Sequence, residues 1–266
     1  MKNIHPSSQI ASDAVIHPQA VIGPFVAIGP GVTIGEGTVL EAHTVVERWT
    51  TIGCHNRIGP SAVLGGAPQH RDYHGQKSFL KIGDHNRISE FTSLHRASRE
   101  GETTVIGSHN FLMNGVHLGH DGVIGDHVVL TGGVLIGGHV TLEDHAVVGG
   151  MAGVHQFVRI GRHAMVGGLS RVTRDVLPFA LAEGNPAAVR GVNLVGLRRA
   201  GFSNARIASI RKAYRDIYFS GRLFEEVFAE LEREARGNPD VAEMVRLIRD
   251  SKRGFLRKSS SGKRDD

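Results

Sequence analysis

The sequence predicts an all-β solenoid, a parallel β-helix of hexapeptide repeats, followed by an α-helical C-terminal segment. Three observations carry this. Aliphatic residues recur at every sixth position through the first two thirds of the chain. Glycine is abundant, at 35 of 266 residues, while aromatics make up 6%. That composition suits stacked small and β-branched residues better than a core of Phe, Tyr and Trp. Past Pro178 the six-residue pattern stops, and apolar residues recur at helical spacing.

Counted from Ile4, the sixth positions run Ile10, Ile16, Ile22, Ile28, Ile34, Leu40, Val46, Ile52, Ile58 and Leu64. They resume as Ile82, Ile88 and Leu94, then as Ile106, Leu112, Leu118, Ile124, Leu130, Ile136, Leu142, Val148, Val154, Ile160, Val166 and Val172. Only His70, Gln76 and Glu100 break the series. Such a period matches neither a helix nor a simple alternating strand. It marks a parallel β-helix in which each hexad supplies a short strand and a turn. The aliphatic residue should point inward, and the glycine that often follows it, as at Gly23, Gly35, Gly107 and Gly125, should permit the corner. Three hexads give a coil of roughly 18 residues, and coils stack at about 4.8 Å. No coil buries its apolar face alone, so stability comes from stacking.

Residues 1–177 are therefore assigned to the solenoid. Two polar stretches, 66–81 and 97–104, interrupt the hexads and preserve their phase, so they read as loops thrown out from an intact coil. Loops on a rigid scaffold are favoured places for binding residues. Residues 178–258 are assigned to a helical domain. Ser203 is placed to cap a helix over 204–219, with Ile207, Ile210, Ala213, Tyr214, Ile217 and Tyr218 on its apolar face. Two more helices are expected over 223–235 and 241–248. They would close the open solenoid end. The polar tail 259–266 is expected to be disordered.

The chemistry centres on His117-Leu118-Gly119-His120-Asp121. Histidine titrates near neutral pH, and an adjacent carboxylate can fix its tautomer and stabilise its charged form. Stacking by 18 places His120 below Gly138 and Gln156, Asp121 below His139 and Phe157, and Gly119 below Gly137 and His155. His120, His139 and His155 thus gather on one edge of three coils, with His117 on the strand leading to it. Three readings compete: a zinc site, a general base paired with Asp121, or a surface ladder with no role. Asp121 and Gln156 fit the acid–base reading better. The same arithmetic stacks Gly132, Gly150 and Gly168, a column without side chains that leaves a groove for a thin apolar ligand.

These residues resemble the hexapeptide-repeat acyltransferases, and among them the acyl-carrier-protein-dependent UDP-N-acetylglucosamine O-acyltransferases of lipid A synthesis. The resemblance covers nearly the whole chain. It is most specific in Val154-His155-Gln156-Phe157 and Gly191-Val192-Asn193, beside Gly83-Asp84-His85-Asn86-Arg87-Ile88 and Glu183-Gly184-Asn185-Pro186. It implies a left-handed coil, a homotrimer with sites between solenoids, and direct acyl transfer with no metal and no cofactor. The acyl donor rides on the phosphopantetheine of acyl carrier protein. His120 would be the base, Asp121 its orienting partner, and the Gly138 N–H the oxyanion donor. His117, His139, His155, Gln156, Gln69, Tyr73, Asn193 and Arg199 would contact substrate. Gly150, Gly168 and Met165 would line the acyl groove, with Gly168 permitting longer hydroxyacyl chains. The chain departs from the family at His70 and Asp72 within Gln69-His70-Arg71-Asp72-Tyr73, at Val195 and Ala200, and at Gly132 and Gly133. Those departures bear on the acceptor, and a UDP-3-amino-sugar acylated on nitrogen is the alternative.

Charge is uneven. From Leu197 onward the net charge is +6, while the preceding residues carry −1. Arg198, Arg199, Arg206, Arg211, Lys212 and Arg215 form a candidate dock for the acidic carrier protein. The aromatic residue between Lys212 and Arg215, Tyr214, falls on the apolar face of the helix and not among the charges, which argues against nucleic acid. The lone Cys54 excludes an intrachain disulfide. The N-terminus lacks an apolar signal segment, and no stretch reaches transmembrane length, so a cytoplasmic protein without stable membrane insertion is expected. The repeat starts at Ile4, which leaves no room for the uridine-binding domain of the pathway's N-acyltransferase. Two further classes remain on this fold: a zinc-dependent hydratase similar to γ-type carbonic anhydrase, and a non-catalytic solenoid.

Overall fold

The computed structural model describes residues 3–258, so the expectation for the tail 259–266 lies outside the described residues. The described residues form three parallel sheets wound into a left-handed β-helix. The first sheet climbs from Gln9–Ile10 through His117–Leu118 to Arg171–Val172. The second runs from Val15–Ile16 to Arg159–Ile160, and the third from Val21–Ile22 to Met165–Val166 and beyond.

Most strands are two residues long, one outward and one inward, as in Val129–Leu130. The inward residues are the sixth-position aliphatics, from Ile22 through Leu118 to Val172. A second inward column, one residue before each strand's start and two before its inward aliphatic, is filled by small residues such as Ala20, Val32, Val128, Ala146 and Ala164. Polar members of that column pair along the axis. The Asn86 amide donates to Asn56 Oδ1 at 2.9 Å, and Asn86 Oδ1 accepts from the Asn110 N–H at 2.9 Å. Most of these buried polar groups are thereby satisfied, while the Asn110 side-chain amide nitrogen has no partner among the described residues.

The glycine that follows the aliphatic residue has a different purpose from the one expected. Gly35 and Gly107 have no positive φ. They are small because the next coil passes close: a Cβ on Gly35 would lie 2.5 Å from Gly53 O. The left-handed residue stands two positions later, and histidine often fills it, as at His109 (φ 60°) and His127 (φ 57°). On the corner between the second and third sheets, His55, His85, His109, His127, His145 and His163 stack face to face. Successive ring centroids lie 5.0, 4.9, 4.9, 4.8 and 4.5 Å apart.

Both interruptions leave from the corner between the first and second sheets, between Gly66 and Phe79 and between His95 and Thr103. They lengthen their coils, so Val63 pairs with Ser93 and Ser93 with His117. Stacking by 18 therefore fails across the loops and holds from His117 onward, where His117 pairs with Leu135 and Leu135 with Gly153.

The chain beyond Pro178 is not wholly helical. Ala180–Glu183 extends the third sheet beside Met165–Val166, and Ala188–Val192 turns back antiparallel to it. Inward residues continue there, with Ala180, Ala182 and Val189 buried. Helices follow: α1 (Leu194–Arg199), α2 (Asn204–Phe219), α3 (Phe224–Glu234) and α4 (Pro239–Asp250). Ser203 caps α2 through the Arg206 N–H. The Tyr214 hydroxyl donates to Pro178 O at 2.7 Å, which ties α2 to the last coil. Arg246 of α4 reaches back to Glu143 at 2.6 Å. Among the described residues no helix is long and apolar enough to cross a membrane.

Candidate active site

The strand His117–Leu118 leads into the corner between the first and second sheets, where His120 and Asp121 sit. Asp121 adopts φ 59°, and its N–H donates to Thr104 Oγ1 at 2.8 Å. This turns its carboxylate back along the chain. Oδ2 lies 2.6 Å from His120 Nδ1 and 3.5 Å from His139 Nε2. Both carboxylate oxygens accept the Ser98 N–H, at 3.1 and 3.2 Å, from the second loop. Burial disfavours the Asp121 charge, but hydrogen bonds from His120 and Ser98 and the nearby His139 outweigh it and hold the carboxyl below its usual range. An ionised carboxylate only accepts, so Nδ1 of His120 carries the proton and Nε2 keeps a free lone pair.

Nε2 faces Gly138, one coil above. A Cβ there would lie 2.9 Å from Nε2 and 2.8 Å from Cε1, so only glycine admits the imidazole. Among the described residues the Gly138 N–H donates to no protein acceptor, although its carbonyl accepts from the Phe157 N–H at 3.0 Å. A lone pair and a free N–H donor thus stand side by side.

They open on a concavity of about 490 Å³ along the outer face of the first sheet. His117, His120, Gly138, His155, Gln156 and Gln69 line it. His117 Nδ1 lies 2.9 Å from Ser93 Oγ. Burial and the neighbouring His95 push the His117 imidazole below its usual range. His139 stands beside Asp121 on a second, polar concavity shared with His70 and Ser98. Burial lowers it; Asp121 opposes this, and His120, Arg99 and His70 add to it, so the net shift is downward.

Several expected residues lie elsewhere in the single chain. The Tyr73 hydroxyl accepts from Arg96 at 3.0 Å, and neither residue lines the concavity. Asn193 caps α1 and donates to His163 O at 2.9 Å, at a different corner. Arg199 ends α1. Gly150 and Gly168 do stack, 3.1 Å separating an added Gly168 Cβ from Gly150 O, but on the corner between the third and first sheets. Met165 is on the third sheet.

Other residues join the site without having been singled out in the sequence. His95, Leu135, Gly153 and Arg171 line the concavity. His95 follows the sixth-position residue Leu94, and adding one hexad for the loop would have aligned it with the His117 coil. His70, noted only as a departure, rests edge-on against His120 with ring centroids 5.1 Å apart. The candidate carrier dock is smaller than the charge count suggested. Arg206 is engaged by Asp240 and Lys212 by Glu234, while Arg211 and Arg215 border an open hollow with Ala208 and Phe219.

Known proteins are similar to the chain along most of its length. Residues 13–48 match the model described as bacterial transferase hexapeptide (six repeats). Residues 175–256 match the model of Udp N-acetylglucosamine O-acyltransferase, domain 2. The acyl-[acyl-carrier-protein]–UDP-N-acetylglucosamine O-acyltransferase of Verminephrobacter eiseniae is 44% identical over 94% of this chain and 95% of its own. That of Myxococcus xanthus is 43% identical over 97% and 100%. The solved Moraxella catarrhalis enzyme superposes with a TM-score of 0.93 at 41% identity, covering 96% of this chain and 100% of its own. The Francisella novicida enzyme gives 0.94 at 34%, over 97% and 95%. Similarity that runs the length of both solenoid and helices places the chain in the acyl-[acyl-carrier-protein]–UDP-N-acetylglucosamine O-acyltransferase family.

Proposed function

We propose that this enzyme moves a (3-hydroxy)acyl chain from acyl carrier protein to the 3-hydroxyl of UDP-N-acetylglucosamine, the first step of lipid A biosynthesis. The observation that carries the reading is the His120 Nε2 lone pair, fixed by Asp121, beside the free Gly138 N–H. Nε2 takes the hydroxyl proton as the sugar oxygen attacks the thioester carbonyl. The Gly138 N–H stabilises the oxyanion that develops. Collapse expels the pantetheine thiolate, and the imidazolium returns the proton to sulfur. General-base catalysis of this kind is worth about 10²–10⁴ in rate. No acyl-enzyme is formed, and no cofactor beyond the donor's phosphopantetheine takes part.

His117, His155, Gln156 and Gln69 hold the sugar nucleotide and the pantetheine arm in the concavity, with His139 against Asp121. Asn193, Arg199, Gly150, Gly168 and Met165 reach substrate from a second copy, in a cytoplasmic homotrimer whose sites lie between solenoids. The exposed Leu135, Met151 and Leu169 on or beside the first sheet support this, because such apolar surface is covered in assemblies. Arg211 and Arg215 receive the acidic carrier protein.

The test offers hydroxyacyl carrier proteins of several chain lengths with UDP-N-acetylglucosamine and, separately, its 3-amino analogue, and reads product by mass spectrometry. Ester product, lost in His120→Ala, is expected. Amide product alone would move the acceptor to the amino sugar, and no product from either would overturn the reading.

A further inference from the structure

We propose that His120, Asp121 and His139 form a divalent-metal site that switches the catalytic base off. The three residues each offer one donor atom, and these atoms lie within 4.8 Å of one another. Two nitrogens and a carboxylate oxygen are a donor set for zinc or cobalt. In a tetrahedral zinc site, bonds of about 2.0–2.1 Å place donor atoms about 3.3 Å apart. The Asp121 Oδ2 to His139 Nε2 distance of 3.5 Å is already close to that. The His120 Nδ1 to Oδ2 distance of 2.6 Å is a hydrogen bond, and it needs to open by less than about 1 Å once a metal replaces the proton.

The ion has its own approach. The polar concavity that holds His139 is bordered by His70, Asp72, Ser98 and Glu100 between the two loops. It is distinct from the substrate concavity on the first sheet. Asp72 and Glu100, the latter accepting the Lys77 N–H at 2.7 Å, set two carboxylates on the border of the polar concavity beside Arg99. The Ser98 N–H, already bonded to the Asp121 carboxylate, fixes that ligand as outer-shell partners do in metal sites. His70, on the border of this concavity, rests edge-on against His120 with ring centroids 5.1 Å apart.

The effect on chemistry follows from the tautomer. In the metal-free protein Nδ1 of His120 carries the proton and Nε2 the lone pair. A metal bound at Nδ1 takes a lone pair on Nδ1 itself, so the proton leaves Nδ1 and the neutral ring carries it on Nε2. Nε2 then cannot accept the hydroxyl proton, although no residue has left its place. The metal form and the active form exclude one another. This consequence rests on His120 being the base; the binding itself does not.

The test uses the full-length protein, stripped with EDTA and titrated with cobalt(II). Expected is one equivalent bound, with the visible absorption of tetrahedral cobalt, displaced by zinc. Asp121→Asn and His139→Gln should each weaken binding by about tenfold or more. In the same preparation zinc should suppress acyl transfer, and EDTA should restore it. Absence of binding by equilibrium dialysis at millimolar zinc would overturn the proposal, as would binding unchanged in both variants. Site-dependent binding that leaves acyl transfer intact would overturn the switch. Site-dependent binding in a protein with no acyl transfer when metal-free would uphold the site and overturn the functional reading instead.

Discussion

His120 and Asp121 are neighbours in sequence, yet the 2.6 Å bond between their side chains exists because Asp121 is left-handed, at φ 59°. In an extended strand adjacent side chains point to opposite faces. The corner folds the carboxylate back onto the preceding imidazole, and Thr104 and Ser98 from the neighbouring coil hold it there.

Asp121→Asn separates geometry from charge. Asparagine tolerates the left-handed region, so the corner should fold. The amide no longer supplies an anion for Nδ1–H. The expected outcome is a loss of about 10²–10⁴ in kcat with near-normal KM, measured by steady-state kinetics alongside circular dichroism.

Gly138→Ala introduces a methyl where the space is already taken, 2.8 Å from His120 Cε1. The imidazole must swing away, which on the proposed mechanism takes it from the attacking hydroxyl. A misplacement of this size costs about 10²-fold in rate. The Gly138 φ is not positive, so the backbone accepts alanine and the melting temperature should shift little. A kcat within twofold of the parent would show that His120 is not held as described.

Gly153→Leu tests the concavity from its floor. An added Cβ at Gly153 meets nothing within 4 Å, and the residue lines the concavity between Leu135 and Arg171 in register. Stability should stay within about 0.5 kcal/mol, as for a substitution that creates no clash. Substrate binding should fall sharply, seen as a raised KM or as loss of nucleotide binding by calorimetry.

The histidine stack predicts a pH dependence of stability. His163 is buried at its end, and burial with the adjacent His145 lowers it to about 4. Its folded value lies below its unfolded value of 6.5. The unfolded chain therefore binds the proton more readily, and stability falls as pH drops from 6.5 towards 4. The loss is on the order of 3 kcal/mol at 1.36 kcal/mol per pH unit. Asp121, whose folded value is depressed, adds its own loss only below its ordinary value of 3.8. His163→Phe keeps a stacking ring at a left-handed corner, as Phe157 and Phe179 already do. Urea midpoints between pH 4 and 7 should be flatter in that variant.

The solenoid was legible because its period repeats over so many coils that single exceptions do not hide it. Ile82 and Ile106 kept phase across the loops, and Ser203 announced α2. The second inward column escaped notice because Ala20, Thr38, Asn56 and Val128 share size and inward direction but not polarity. The strands at 180–192 escaped because their apolar residues leave the six-residue phase when the chain reverses. Within the site, His117, His120, Gly138, His155 and Gln156 followed from stacking by 18. His70 and His95 did not, since they belong to coils lengthened by loops whose extra residues the arithmetic had to know first. Ser98 is read only in space, because it acts through its backbone N–H and any residue type would serve.

Because each coil touches only the coil below and the coil above, the number of coils is a quantity the fold leaves free. Adding or removing one costs little in kind: the inward columns and corners continue unchanged. It would nonetheless move the His120 corner relative to α2 by one stacking step of about 4.8 Å. Three steps, through Leu135, Gly153 and Arg171, separate the His117 coil from the last strand of its sheet. The molecule is in this respect a ruler, graduated in whole coils. Selection on chemistry at one end and on whatever meets the helices at the other must act on that count, and a relative with one coil more or fewer should need a partner of different reach.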